Sequence, residues 1–68
     1  MIDARGFACP LPVLMVQREV GNTQPETVSV MVDNRAAVQN ITRFAKSRGY
    51  SVKVSDEGED FLLELRKE

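Results

Sequence analysis

The chain has 68 residues, nine Lys+Arg against ten Asp+Glu, one Cys, no His and no Trp. That length suits one small domain of residues 1–68, which needs two packed layers to bury a core. A single Cys without His excludes a disulfide framework, a Cys/His zinc site and any Ser-His-Asp or Cys-His apparatus within the chain. The formal charge of -1 offers no strong attraction for nucleic acid or anionic lipid. No apolar run approaches the ~20 residues of a membrane span, and Asp3 and Arg5 break any signal-peptide pattern at the start. The expectation is a cytoplasmic domain with a free thiol and no metal or cofactor.

Met1–Ala4 reads as a short edge strand. A first helix is predicted from Pro10 to about Val20, with Gly21-Asn22 stopping it. Pro10 suits the first helical position and Pro12 the first turn, where neither breaks an i→i−4 bond. Val28, Val30 and Val32 alternate with Ser29 and Met31 in the manner of a half-buried strand. Ala37, Val38, Ile41, Phe44 and Ala45 form one stripe at helical period. Asp33 or Asn34 is placed to cap that helix and Gly49 to end it, with Lys46 and Arg48 in its last turn. Tyr50, Val52 and Val54, then Phe61, Leu63 and Leu65, predict two more strands joined by a hairpin loop over residues 56–60. The order β-α-β-α-β-β predicts an α/β two-layer sandwich. Both helices cover one face of a mixed four-stranded sheet, and strands separated by helices are expected to be parallel neighbours.

Cys9 falls at or beside the N-cap of the first helix. The positive end of a helix dipole favours a thiolate. Lowering its pKa from about 8.5 to about 7 would ionise roughly half of it at pH 7, for ~2 kcal/mol. Arg5 would add positive charge if the loop folds back. Pro10 and Pro12 lack N–H groups, leaving mainly those of Leu11 and Val13, which suits one sulfur anion better than a phosphate. The plainer alternative is a buried Cys acting as a small hydrophobe.

At 100° per residue, Val13, Val16 and Val20 fall within about 60° and are assigned to the sheet. Leu11, Leu14 and Met15 share another side with Arg18. An apolar patch beside a reactive thiol reads as a docking surface for another protein, unless the helix is simply buried on several sides.

The segment Ile2-Asp3-Ala4-Arg5-Gly6-Phe7-Ala8-Cys9-Pro10-Leu11-Pro12-Val13 resembles the signature of the TusA, or SirA-like, family of sulfur carriers. Val32-Asp33-Asn34-Arg35-Ala36-Ala37-Val38 and Phe44-Ala45-Lys46-Ser47-Arg48-Gly49-Tyr50 look most like its YedF branch, although the second domain that such proteins often carry is not in this chain. Phe7 stands where the family more often has Leu. The resemblance implies a persulfide on Cys9, loaded by a donor such as a cysteine desulfurase and passed to a downstream acceptor. Pro10 and Pro12 match the motif Cys-Pro-x-Pro, Arg5 and Gly6 its lead-in, and Asp33 an acidic position before the second helix. Arg5 and Asp33 are therefore supporting or partner-contact candidates. A thiol redox sensor is one rival. Another is a non-catalytic binding module for protein or RNA, as in the similarly ordered C-terminal domain of translation initiation factor 3, using Arg43, Lys46 and Arg48.

Overall fold

The computed structural model describes residues 1–8 and 10–68. Its elements are β1 (Ile2–Asp3), α1 (Leu11–Thr23), β2 (Thr27–Val32), α2 (Arg35–Ser47), β3 (Tyr50–Glu57) and β4 (Asp60–Lys67). The sheet order is β1-β2-β4-β3. β1 runs parallel to β2, with Ile2 opposite Val30 and Asp3 opposite Met31. β4 is antiparallel to both of its neighbours.

This order corrects one expectation: β2 and β3, though joined through a helix, are not neighbours. β4 turns back from β3 and inserts between them. The register gives the physical reason. Val28, Val30 and Val32 oppose Leu65, Leu63 and Phe61, so the two most apolar strands pair centrally and bury one common face.

That face packs on the helices. Val16 and Val20 of α1 join Ala37, Ile41 and Ala45 of α2, with Val30, Leu63 and Tyr50, in one core of buried residues. Tyr50 satisfies its hydroxyl by donating to the Pro25 carbonyl at 2.6 Å, as a buried phenol requires. The other face carries polar pairs, Lys53 opposite Glu64 and Ser51 opposite Arg66, together with one apolar pair, Met31 opposite Leu62.

Helix α2 begins as anticipated. Asn34, not Asp33, is its cap, accepting the Ala37 N–H at 2.8 Å. At its other end Arg48 is the C-cap residue and Gly49 follows with φ 81°. The hairpin loop is tighter than expected. Asp56 and Glu57 belong to β3 and Asp60 to β4, leaving a two-residue turn opened by Gly58 at φ 78°, which follows the twist of the flanking strands.

Helix α1 differs more. Its N-cap is Pro10 and its first residue Leu11, so the start lies one position later than expected. It also runs through Gly21-Asn22 to Thr23, where the Thr23 hydroxyl donates to the Glu19 carbonyl at 3.2 Å. Gln24 ends it in the left-handed conformation at φ 45°, donating its N–H to the Val20 carbonyl. Pro25 follows and cannot continue a helix. The inward stripe is Pro12, Val16 and Val20, with Val13 only partly buried at its flank. Among the described residues, no helix is long and apolar enough to cross a membrane.

Candidate functional site

The loop between β1 and α1 carries the sequence motif. Cys9 itself lies outside the described residues; because Pro10 is the N-cap of α1, the N-cap alternative for Cys9 is excluded and the alternative beside the cap remains, while its pKa belongs to the sequence reading alone.

Ala4 is fully buried, and its N–H donates to the Met31 carbonyl at 2.8 Å, extending the β1–β2 ladder by one residue. The chain then turns outward at Gly6, where φ is 84°. Glycine adopts this region without the Cβ clash of other residues. The Gly6 N–H donates to Oδ2 of Asp33 at 2.8 Å, while Asn34 Nδ2 donates to Oδ1 of the same carboxylate at 3.1 Å. The Asn34 amide and the Gly6 N–H together hold the Asp33 carboxyl below its usual range.

The Arg5 guanidinium is engaged by carboxylates. Its Nε and Nη2 donate to the two oxygens of Asp3 at 2.9 and 3.0 Å, and its Nη1 to Oδ2 of Asp60 at 3.2 Å. The guanidinium is thereby shared between two carboxylates. Its hydrogen bonds hold the Asp3 carboxyl below its ordinary value and raise that of Arg5 itself. Neither Asp3 nor Asp60 was singled out from sequence. Asp3, two residues from Arg5, was open to that inference, but Asp60 is 55 residues away and only the fold brings it near.

The start of α1 is poor in backbone donors. Pro10 and Pro12 carry no N–H, Leu11 donates to the Ala8 carbonyl at 3.0 Å and Leu14 to that of Pro10 at 3.1 Å. A phosphate cradle requires several convergent N–H groups, and this arrangement does not supply them. Pro12 is fully buried, so the second motif proline anchors the first turn to the core.

Leu11 and Leu14 are each 47% exposed, whereas Met15 is partly buried against the core. With Ile2, Arg18 and Glu19 they line an open groove of about 350 Å³. The structure thus gathers Leu11, Leu14, Met15 and Arg18 on one surface. It gathers Arg5, Gly6 and Asp33 around the loop that precedes Cys9. Phe7, 43% exposed, adds apolar surface to this loop. In the basic cluster at the end of α2, Arg48 is turned onto the Phe44 ring, 5.1 Å from its centroid.

The family profile described as Sulfurtransferase TusA matches residues 1–67. The chain belongs to the TusA family. A Methanocaldococcus jannaschii protein named as a candidate sulfur carrier is 34% identical over 68 residues, covering 97% of this chain and 91% of that protein. A crystal structure of a SirA-like protein from Desulfitobacterium hafniense superposes with a TM-score of 0.87 at 27% identity, over 98% of this chain and 96% of the other. TusA membership and the shared two-helix, four-stranded architecture agree with a sulfur-carrier role. They imply a sulfur donor and a sulfur acceptor as partners in general terms.

Proposed function

We propose that this TusA-family chain carries sulfane sulfur on Cys9 as a persulfide. The observation that carries the reading is the family match over residues 1–67, in a chain whose one sulfur nucleophile is Cys9. The donor is a protein persulfide, with a cysteine desulfurase as the leading class. The Cys9 thiolate attacks the outer sulfur of the donor persulfide. A new S–S bond forms on Cys9 as the donor S–S bond breaks, and the donor sulfur leaves as a thiolate. The proton on the transferred sulfur travels with it. An acceptor nucleophile then takes that outer sulfur and Cys9 leaves as a thiolate.

No internal base is required, because the thiolate is already the nucleophile. With no second Cys in the chain, no intramolecular thiol discharges the persulfide as a disulfide. The groove of Leu11, Leu14, Met15 and Arg18 is the proposed donor-docking surface. Pro10 and Pro12 shape the entry into α1, and Arg5, Gly6 and Asp33 support the loop. Placement in the YedF branch and in the cytoplasm belongs to the same proposal.

Incubation with a cysteine desulfurase and cysteine, followed by intact mass, is expected to show one added sulfur on the wild-type chain and none on Cys9→Ser. Absence of sulfur on wild type, or equal loading of Cys9→Ser, overturns the reading.

A further inference from the structure

Two consecutive residues of the β1–α1 loop are each fastened by a carboxylate from a different part of the fold. Gly6 donates its N–H to Asp33, which sits just ahead of α2, at 2.8 Å. Arg5 reaches Asp60, the first residue of β4, at 3.2 Å. Both anchors are themselves set. Asn34, which caps α2, also donates to Asp33. Asp60 closes the two-residue hairpin opposite Glu57.

The side-chain chemistry fits this bridging role. The Nε/Nη2 edge of the Arg5 guanidinium engages both oxygens of Asp3, which leaves Nη1 to span to Asp60. A lysine ammonium has no such fork. At Gly6 an added Cβ would meet nothing within 4 Å. The glycine is therefore required by its positive φ, which belongs to the turn whose N–H meets Asp33, and not by crowding. Only Phe7 and Ala8 separate this mount from Cys9.

We propose that Asp33 and Asp60 are positioning residues for sulfur transfer which, through Gly6 and Arg5, form a two-point mount for the loop residues that lead to Cys9. The proposal rests on the sulfur-carrier reading and assigns no contact between either carboxylate and the transferred sulfur. Contacts at two successive residues from separate elements restrict the loop more than one contact does. Misplacing a reacting group by about 1 Å can cost up to ~100-fold in rate.

The test uses the full chain with a persulfidated cysteine desulfurase, reading the saturating rate of sulfur uptake and the half-saturating donor concentration separately. Asp33→Ala and Asp60→Ala are each expected to lower the saturating rate ~10-fold with little change in half-saturation. Asp33→Asn keeps an acceptor oxygen for the Gly6 N–H and is expected to recover most of the rate. Should either alanine variant fail to fold, Arg5→Lys, which keeps the charge but loses the fork, is expected to show the same fall. A wild-type saturating rate in these variants, or a loss confined to half-saturation, overturns the mount while the carrier reading stands. Failure of wild type to take up sulfur overturns the carrier reading itself, and the role of the mount in transfer with it.

Discussion

The Gly6 N–H donates to the Asp33 carboxylate at 2.8 Å, joining the loop before the cysteine to the residue before the α2 cap across 27 positions. Gly6 can offer its N–H there because its φ is 84°, a region costing other residues roughly 1–2 kcal/mol. Gly6→Ala meets no steric obstacle, so the backbone penalty alone should appear. Urea unfolding is expected to show a loss of about 1 kcal/mol. A loss near zero would mean that the turn relaxes freely.

Acid should weaken the same region. The Arg5 hydrogen bonds lower the folded-state pKa of Asp3, and those from Asn34 and Gly6 lower that of Asp33, each from an ordinary value of 3.8. A carboxylate with a depressed folded pKa stabilises the fold above its unfolded value, and that contribution is lost as pH falls through the folded value. Stability should therefore hold through neutral and mildly acidic pH with respect to these two groups and fall below 3.8. Unfolding curves of wild type and Asp33→Asn across this range check the sign: the variant should lose less on acidification.

The groove on α1 calls for a different signature. Leu14 is 47% exposed, so Leu14→Asp should change stability by no more than about 0.5 kcal/mol. If the groove receives the sulfur donor, the half-saturating donor concentration should rise ~10-fold, equivalent to about 1.4 kcal/mol of lost binding. Sulfur uptake titrated against donor measures it. Unchanged half-saturation removes the groove from the docking surface.

Gln24 ends α1 at φ 45°, where a side chain is strained and glycine is not. Gln24→Gly is expected to stabilise the chain by up to about 1 kcal/mol, because relief of left-handed strain outweighs the added freedom of the unfolded chain. Thermal unfolding should show a higher midpoint.

Tyr50 tests the core from the polar side. Its buried hydroxyl holds the Pro25 carbonyl at 2.6 Å, so Tyr50→Phe leaves that acceptor without its partner. The expected loss is about 1 kcal/mol, read from denaturant midpoints at an unchanged slope.

Much of the architecture was legible because local patterns and buried faces coincide. The alternation of Val28, Val30 and Val32 and the stripe of Ala37, Ile41 and Ala45 each pointed to the face that is in fact buried. The stop at Gly21-Asn22 misled. A glycine costs a helix only ~1 kcal/mol relative to alanine, and burial of Val20 with capping by Gln24 carries α1 past it. The cap of α2 was narrowed to two candidates but not resolved, because Asp33 and Asn34 are equally able to accept an N–H. Tertiary contact divided the roles, giving Asn34 to Ala37 and Asp33 to Gly6.

Length, charge and the count of one Cys and no His were enough by themselves to exclude disulfide, zinc and triad chemistry. The repeat periods of two and 3.6 were enough to order the elements, since both depend only on neighbours along the chain. The insertion of β4 between β2 and β3 and the grip of Asp60 on Arg5 depended on the tertiary structure. Strand pairing is chosen by which apolar faces meet, and an ion pair spanning 55 residues leaves no periodic trace in the sequence. What began as a short chain with one thiol is, once folded, a chain in which Arg5 and Gly6, ahead of that thiol in the sequence, are held from two sides.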